Sequence, residues 1–258
     1  MSRSRKSWPG RRPPTTNRSP EVAPVREDVS AAQFVAALLP MATDEQRVKY
    51  QRFFPGDDTF VGVRMGAIFG LAKEFLAMPV DELEVLLDHD VREVRVGACS
   101  IMGKAAARKR VTEERHEELY DLYVRRHDRI DGWDLVDLGA YQVVGSWLVE
   151  RPRDPLYALA RSDFWPERRT AIVATAAFIG REDVADTFAI SALLLDDPEP
   201  LVHKGAGWML RYAGDVDRDA LRGFLDTHAV TMPRVMLRTA LEKFDKPERA
   251  AYLARPAI

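Results

Sequence analysis

Trp133 and Asp137 lie four positions apart in the stretch 130–141, Ile-Asp-Gly-Trp-Asp-Leu-Val-Asp-Leu-Gly-Ala-Tyr. On a helix, positions i and i+4 share a face, so an indole and a carboxylate would be presented side by side. Such a pair can meet positive charge in two ways. A partly desolvated carboxylate acts by Coulomb attraction, and a flat aromatic face acts by cation–π contact. The plainer interpretation is a helix capped by Asp134 that carries a half-buried Trp. Asp131-Gly132 is a turn signal, which predicts that the helix starts near Trp133, with Leu135, Val136, Leu138 and Ala140 as its apolar positions.

The elements that must position this pair are helices. Apolar periodicity and cap signals predict them at 29–39 and 43–54, in a stretch that 60–64 leads into and that runs through about 78, and at 80–88, 91–108, 112–127, 133–149, 154–161, 165–179, 183–195, 199–213, 217–227, 232–244 and 247–254. Thr43-Asp44-Glu45-Gln46 is the strongest of the start signals. No segment alternates with period two as a strand would, so the fold class is all-α. Residues 1–28 are rich in Arg, Ser and Pro without periodicity and read as a disordered basic tail, leaving 29–258 as one helical domain.

Three helix openings resemble one another: Asp90-Val91-Arg92-Glu93-Val94-Arg95, Asp163-Phe164-Trp165-Pro166-Glu167-Arg168-Arg169 and Asp197-Pro198-Glu199-Pro200-Leu201-Val202-His203-Lys204. Small residues for close packing recur at Ala98, Ala171, Ala206 and Ala240, a period near 35 with one double step. Paired helices at that period are the mark of a HEAT-like helical-repeat solenoid, whose successive repeats line a concave face. That geometry predicts Trp133 and Asp137 beside Trp165 and Arg168 of the next repeat. Lys204, Trp208 and Arg211, spaced i, i+4, i+7, follow from the repeat after that. Taken singly, Arg168 is as well explained by an ion pair with Glu167 or Asp163, and Trp208 by simple core packing.

Composition narrows the partners. The formal charge of −2 conceals a split: residues 1–20 hold six basic residues and no acidic one, so the rest of the chain is at −8. A globally basic nucleic-acid binder is thereby excluded, and a nucleic acid would need a local basic face, with the tail as a possible arm. Cys99 is the single cysteine, which rules out an internal disulfide and suits a reducing compartment. It falls in an apolar helix and reads as core. His89, His116, His127, His203 and His228 show no ligand spacing, and there is no Gly-rich phosphate loop, so neither metal nor cofactor is expected. No apolar run is long enough to span a bilayer, and the charged N-terminus has no apolar core behind it as a secretory signal would.

The blocks 130–137, 162–172 and 204–211, in that order, resemble the AlkD-type DNA alkylation repair family of HEAT-like DNA glycosylases, over about 34 to 244. Phe60-Val61-Gly62-Val63-Arg64 is similar to that family's N-terminal block. The resemblance implies removal of positively charged N3- or N7-alkylated purines from duplex DNA. It makes Asp137 the catalytic carboxylate, sets Trp133 and Trp208 against the lesion nucleotide and gives Arg168 a contact to the backbone. Arg64, Trp165, Arg169, Lys204 and Arg211 are the further residues expected at DNA. Gly132 and Gly205-Ala206 depart from the family pattern, and both departures bear on helix packing at the site. A monomer acting on the nucleoid of a bacterial cytoplasm is the expected setting. The alternative is a non-catalytic HEAT-repeat adaptor that binds DNA or protein, to which the acidic body and the repeats are equally suited.

Overall fold

The computed structural model describes residues 29–54, 56 and 58–255. The expected tail at 1–28 lies outside them. Among the described residues the fold is all-α with no strand. The helices are Ala31–Leu38 (α1), Asp44–Phe53 (α2), Met65–Leu71 (α3), Val80–Leu87 (α4), Arg92–Ala106 (α5), Glu113–Arg125 (α6), Trp133–Gly139 (α7), Ser146–Leu148 (α8), Asp154–Leu159 (α9), Trp165–Ala174 (α10), Ala176–Ile179 (α11), Ala185–Leu193 (α12), Pro200–Val216 (α13), Arg218–His228 (α14), Arg234–Ala240 (α15) and Lys246–Leu253 (α16).

The helices stack as a repeat in two layers. In one layer α3, α5, α7, α10, α13 and α15 each pack on the next. In the other, α4 packs on α6 and α12 on α14, and each also covers a helix of the first layer. The consequence shows in α5, which is buried along its whole length except at Lys104. Helix starts follow the sequence signals. Ser30 and Gln33 form a capping box, and Thr43, Thr112, Asp217 and Asp245 cap α2, α6, α14 and α16 with their side chains. Cys99 is buried in the core, and that burial pushes its thiol pKa up, which keeps it protonated and inert. No helix is long and apolar enough to cross a membrane, and no group of three His, Cys, Asp or Glu side chains could hold a metal, among the described residues.

The segment 60–64 leads into α3, as expected, and is itself not helical. Its backbone amides at Val61, Gly62 and Val63 donate to the carboxylate of Glu93, at 3.2, 2.7 and 3.3 Å, and Glu93 is fully buried in α5. A carboxylate collecting three amides outcompetes a helical turn whose amides have no partner. Gly62 adopts φ +94°, open to glycine and strained for other residues. The helix expected over 133–149 is interrupted. After α7 the chain runs as a π-helix from Ala140 to Gly145 before α8. Its leftover carbonyls find side-chain partners: His116 Nε2 lies 3.1 Å from both the Gln142 and Val143 oxygens, and Ser146 Oγ donates to Tyr141.

Glu93 carries a testable weight. Glu93→Ala leaves three amides buried without an acceptor and frees the 60–64 segment. The expected loss is about 3 kcal/mol, or about 6–12 °C in Tm for a chain of this size. Thermal unfolding followed by circular dichroism measures it, and a shift under about 2 °C would contradict the bracing role.

Candidate active site

One guanidinium ties three helices together at Asp137. Arg169 of α10 donates Nε to Asp137 Oδ1 at 3.0 Å and Nη2 to Oδ2 at 2.9 Å, while its Nη1 donates to the Leu201 carbonyl in the first turn of α13. Exposure sets the order of the pair. The Arg169 side chain is 5% exposed and that of Asp137 is 22%, so the cation lies behind and the carboxylate in front. Each carboxylate oxygen gives one lone pair to the fork and keeps another to offer outward. Burial pushes the Asp137 carboxyl above the ordinary aspartate range; Arg169 pulls it down, and the nearby charge of Asp134 adds to the rise.

The start of α7 is fixed by a second cluster. Arg92 and Arg95 of α5 are buried and project towards the 130–134 turn. Arg92 donates to Asp134 at 2.5 Å and to Asp58 at 2.7 Å, and Arg95 to Asp131 at 2.6 Å and to Asp58 at 2.7 Å. Asp134 is therefore a structural partner rather than a helix cap. Gly132 occupies the N-cap position of α7, and no side chain caps the helix there.

Both glycine departures are explained by these guanidinium groups. A Cβ at Gly132 would stand 2.0 Å from Arg92 Nη2, and one at Gly205 would stand 3.2 Å from Arg169 Nη1. The two glycines leave room for the two arginines that fix α7 at its start and at Asp137.

Aromatic side chains lie on the same layer of helices as this carboxylate. Trp133, one turn before Asp137, is half-buried and stacks on Phe54 with centroids 6.2 Å apart and planes at 17°. Phe54 in turn stacks on Phe60 and lies under the Arg92 guanidinium. Trp208 on α13 is half-buried and meets Tyr212 edge-on at 5.5 Å. Lys204, adjacent to Gly205, is exposed.

A family model described as DNA alkylation repair enzyme matches residues 34–244. The chain belongs to the DNA alkylation repair enzyme family. Among solved structures, it is similar to a predicted DNA alkylation repair enzyme from Enterococcus faecalis, at 16% identity, with a TM-score of 0.63 and coverage of 80% of this chain and 98% of that one. At that identity the likeness speaks for the shared helical fold. No curated protein matches the chain.

Within this family member the expected site residues divide. Asp137 and Trp133 are partly exposed on α7 and Trp208 on α13, with α10 between the two helices in the same layer, and Lys204 and Arg64 are exposed with no carboxylate in ion-pair reach among the described residues. Trp165 opens α10, half-buried against the core. Arg168 is turned away from Asp137. Its Nε and Nη2 grip Asp197 at 2.6 and 3.0 Å, and its Nη1 donates to the Ser162 and Asp163 carbonyls. Neither Glu167 nor the Asp163 carboxylate is its partner. Arg211 pairs with Glu242 and lies 5.2 Å from the Tyr212 ring. The expectation of Arg168 beside Asp137 is thus off by one residue, and Arg169 takes that place. Successive helix positions point about 100° apart, so one residue exchanges the two partners. Spacing does not single out Phe54 or Glu93. The only signal for Glu93 is that it is the single acidic residue of α5.

The fork makes a directional prediction. Arg169→Gln removes the cation that lowers the Asp137 carboxyl, so its pKa should rise further. Carboxyl NMR titration of the two proteins reads this directly, and an unchanged or lowered value would contradict the pairing.

Proposed function

We propose that this DNA alkylation repair family member is a monofunctional DNA glycosylase. It hydrolyses the N-glycosidic bond of cationic N3- or N7-alkylated purines in duplex DNA and leaves an abasic site. The observation that carries the reading is the outward-facing, partly buried carboxylate of Asp137, backed by Arg169 and flanked one turn away by Trp133.

The chemistry asks for little else. Alkylation at N3 or N7 makes the purine a cation, so it departs as a neutral base and needs no general acid. The deoxyribose left behind develops oxocarbenium character. A carboxylate about 4 Å from that charge contributes roughly 4 kcal/mol at an effective dielectric of about 20, about three decades in rate. Arg169 reduces this field, yet its charge lies on the far side of Asp137, so the negative end of the pair still faces the sugar. The same carboxylate accepts a proton from, and so orients, the attacking water. Trp133 and Trp208 offer aromatic faces to the cationic nucleotide. Lys204 and Arg64 supply mobile charges for phosphates, which position the strand without reading sequence. Arg168 and Arg211 reach DNA in this reading only by exchanging an existing carboxylate partner, so their first role is to hold α10 and α13 in register.

Release of free 7-methylguanine from methylated duplex DNA tests the proposal. Wild type should release the base, and Asp137→Asn should slow release by about three orders of magnitude while duplex binding persists. No release by wild type at high enzyme excess would leave the adaptor reading in its place. The acid limb gives an independent check. Asp137 acts as the ionised form, and burial has raised its pKa. Single-turnover rates, corrected for spontaneous base loss, should therefore fall with decreasing pH at an inflection above that of an ordinary aspartate. A rate flat down to about pH 4 would argue against Asp137 as the acting group.

A further inference from the structure

Lys104 is an anomaly in α5. It is the one residue of that helix that is not buried, and its ammonium is placed 4.9 Å from the centroid of the Phe69 ring of α3. It donates to the Ser100 hydroxyl one turn back. No carboxylate of the described residues is within ion-pair reach of it, although the arginines of the same helix, Arg92 and Arg95, share three aspartates. Burial and the neighbouring cation Lys73 both push the Lys104 pKa down. Lys73 is exposed and is equally without a carboxylate partner among the described residues. Two convergent ammonium groups with no counter-charge are costly unless an anion bridges them.

The location connects this pair to the site. Gly103, beside Lys104, packs so closely on α7 that a Cβ there would fall 2.0 Å from the Leu138 carbonyl oxygen. Leu138 follows Asp137 directly. We propose that Lys104, over the Phe69 ring, and Lys73, in the turn 72–75 that packs on α5, form a phosphate site that grips one phosphodiester of duplex DNA alongside the Asp137 helix. This rests on the reading of the chain as a DNA-acting enzyme and adds a binding subsite to it. Lysine suits the task because a compact ammonium grips a phosphate as a point charge, without the planar geometry that an arginine fork imposes. Lys104 lies in the last turn of α5, where the negative end of the helix dipole steadies it when no phosphate is bound.

The test is the salt dependence of binding to undamaged duplex DNA, run beside the base-release assay. Removing one phosphate neutralisation on B-DNA makes the slope of log K against log salt shallower by about 0.9. Lys73→Ala/Lys104→Ala should show that change, and Lys104→Arg should restore part of it by keeping the charge. Lys246→Ala/Arg249→Ala, which removes the same charge from α16, should leave the slope alone. Melting curves show whether each variant is folded. A folded double variant with the wild-type slope, or one no different from the α16 control, overturns the site, and Lys104 then serves only its helix end. If wild type releases base while the double variant keeps its slope, the site alone is wrong. If the slope changes but wild type releases no base, the glycosylase reading is wrong and the phosphate site stands.

Discussion

The Arg169 guanidinium is the constraint on which the rest of the site depends. It joins α7 through Asp137 and α13 through the Leu201 carbonyl, while belonging to α10 itself. Similar rungs recur along the layer. Arg92 and Arg95 tie α5 to the turn before α7, Arg168 ties α10 to Asp197 before α13, and Arg211 ties α13 to Glu242 beyond α15. A repeat array has no single central core to hold its members in register, since each unit touches only its neighbours. Apolar packing alone tolerates sliding and rotation between helices. A forked ion pair does not, because its hydrogen bonds fail within a few tenths of an ångström. Where such a pair is buried, as at Arg92 and Arg169, it adds little net stability once desolvation is counted, but breaking it leaves a buried charge, which costs about 3–5 kcal/mol. Such pairs therefore act here as register pins, and Asp137 is aimed by one of them.

Part of the molecule is legible in the sequence and part is not, and sequence separation divides the two. Helix identity follows from apolar periodicity, which is local. Caps follow from Thr43, Thr112 and Asp217, whose side chains act within three residues. The Trp133–Asp137 spacing is also local, and it places both side chains on one face of α7. What escapes is nonlocal. Glu93 holds a segment 30 to 32 positions earlier in the chain, and nothing within 60–64 announces that its amides share one distant acceptor. The π-helix after α7 depends on His116 from α6, far enough away in sequence that no pattern within 133–149 announces it. Arg168 and Arg169 are indistinguishable by type, and only the approach of Asp137 from one side and Asp197 from the other separates them.

The departures at Gly132 and Gly205 show the same dependence from the opposite direction. Judged locally, a glycine within a helix, as at Gly205, weakens it by up to about 1 kcal/mol against alanine, and one at the N-cap, as at Gly132, forgoes the side-chain cap that Ser, Thr, Asp or Asn would supply. In the assembled protein each faces a buried arginine whose guanidinium occupies the space of a side chain. The local loss is offset by a forked hydrogen-bonding group that fixes a neighbouring helix. An unfavourable residue within a helix is, in this fold, a sign of a close approach made from another repeat.

The division of labour among the basic residues resolves an apparent conflict between an acidic body and a nucleic-acid partner. A net charge of −2 suggests weak attraction to phosphate. Many of the carboxylates, however, face arginines: Asp58, Asp131, Asp134, Asp137, Asp197 and Glu242 are all occupied in cross-repeat rungs. Neutralised pairs contribute little field at a distance. What a polyanion meets is the uncompensated remainder, and among the described residues that remainder includes Arg64, Lys73, Lys104 and Lys204, which have no carboxylate in ion-pair reach. The planar, always-charged guanidinium is suited to the buried rungs. The flexible ammonium is suited to a ligand that arrives from solvent and differs in position from one site to the next. Formal charge summed over the chain averages these two populations together, so it says little about the face that a duplex would touch.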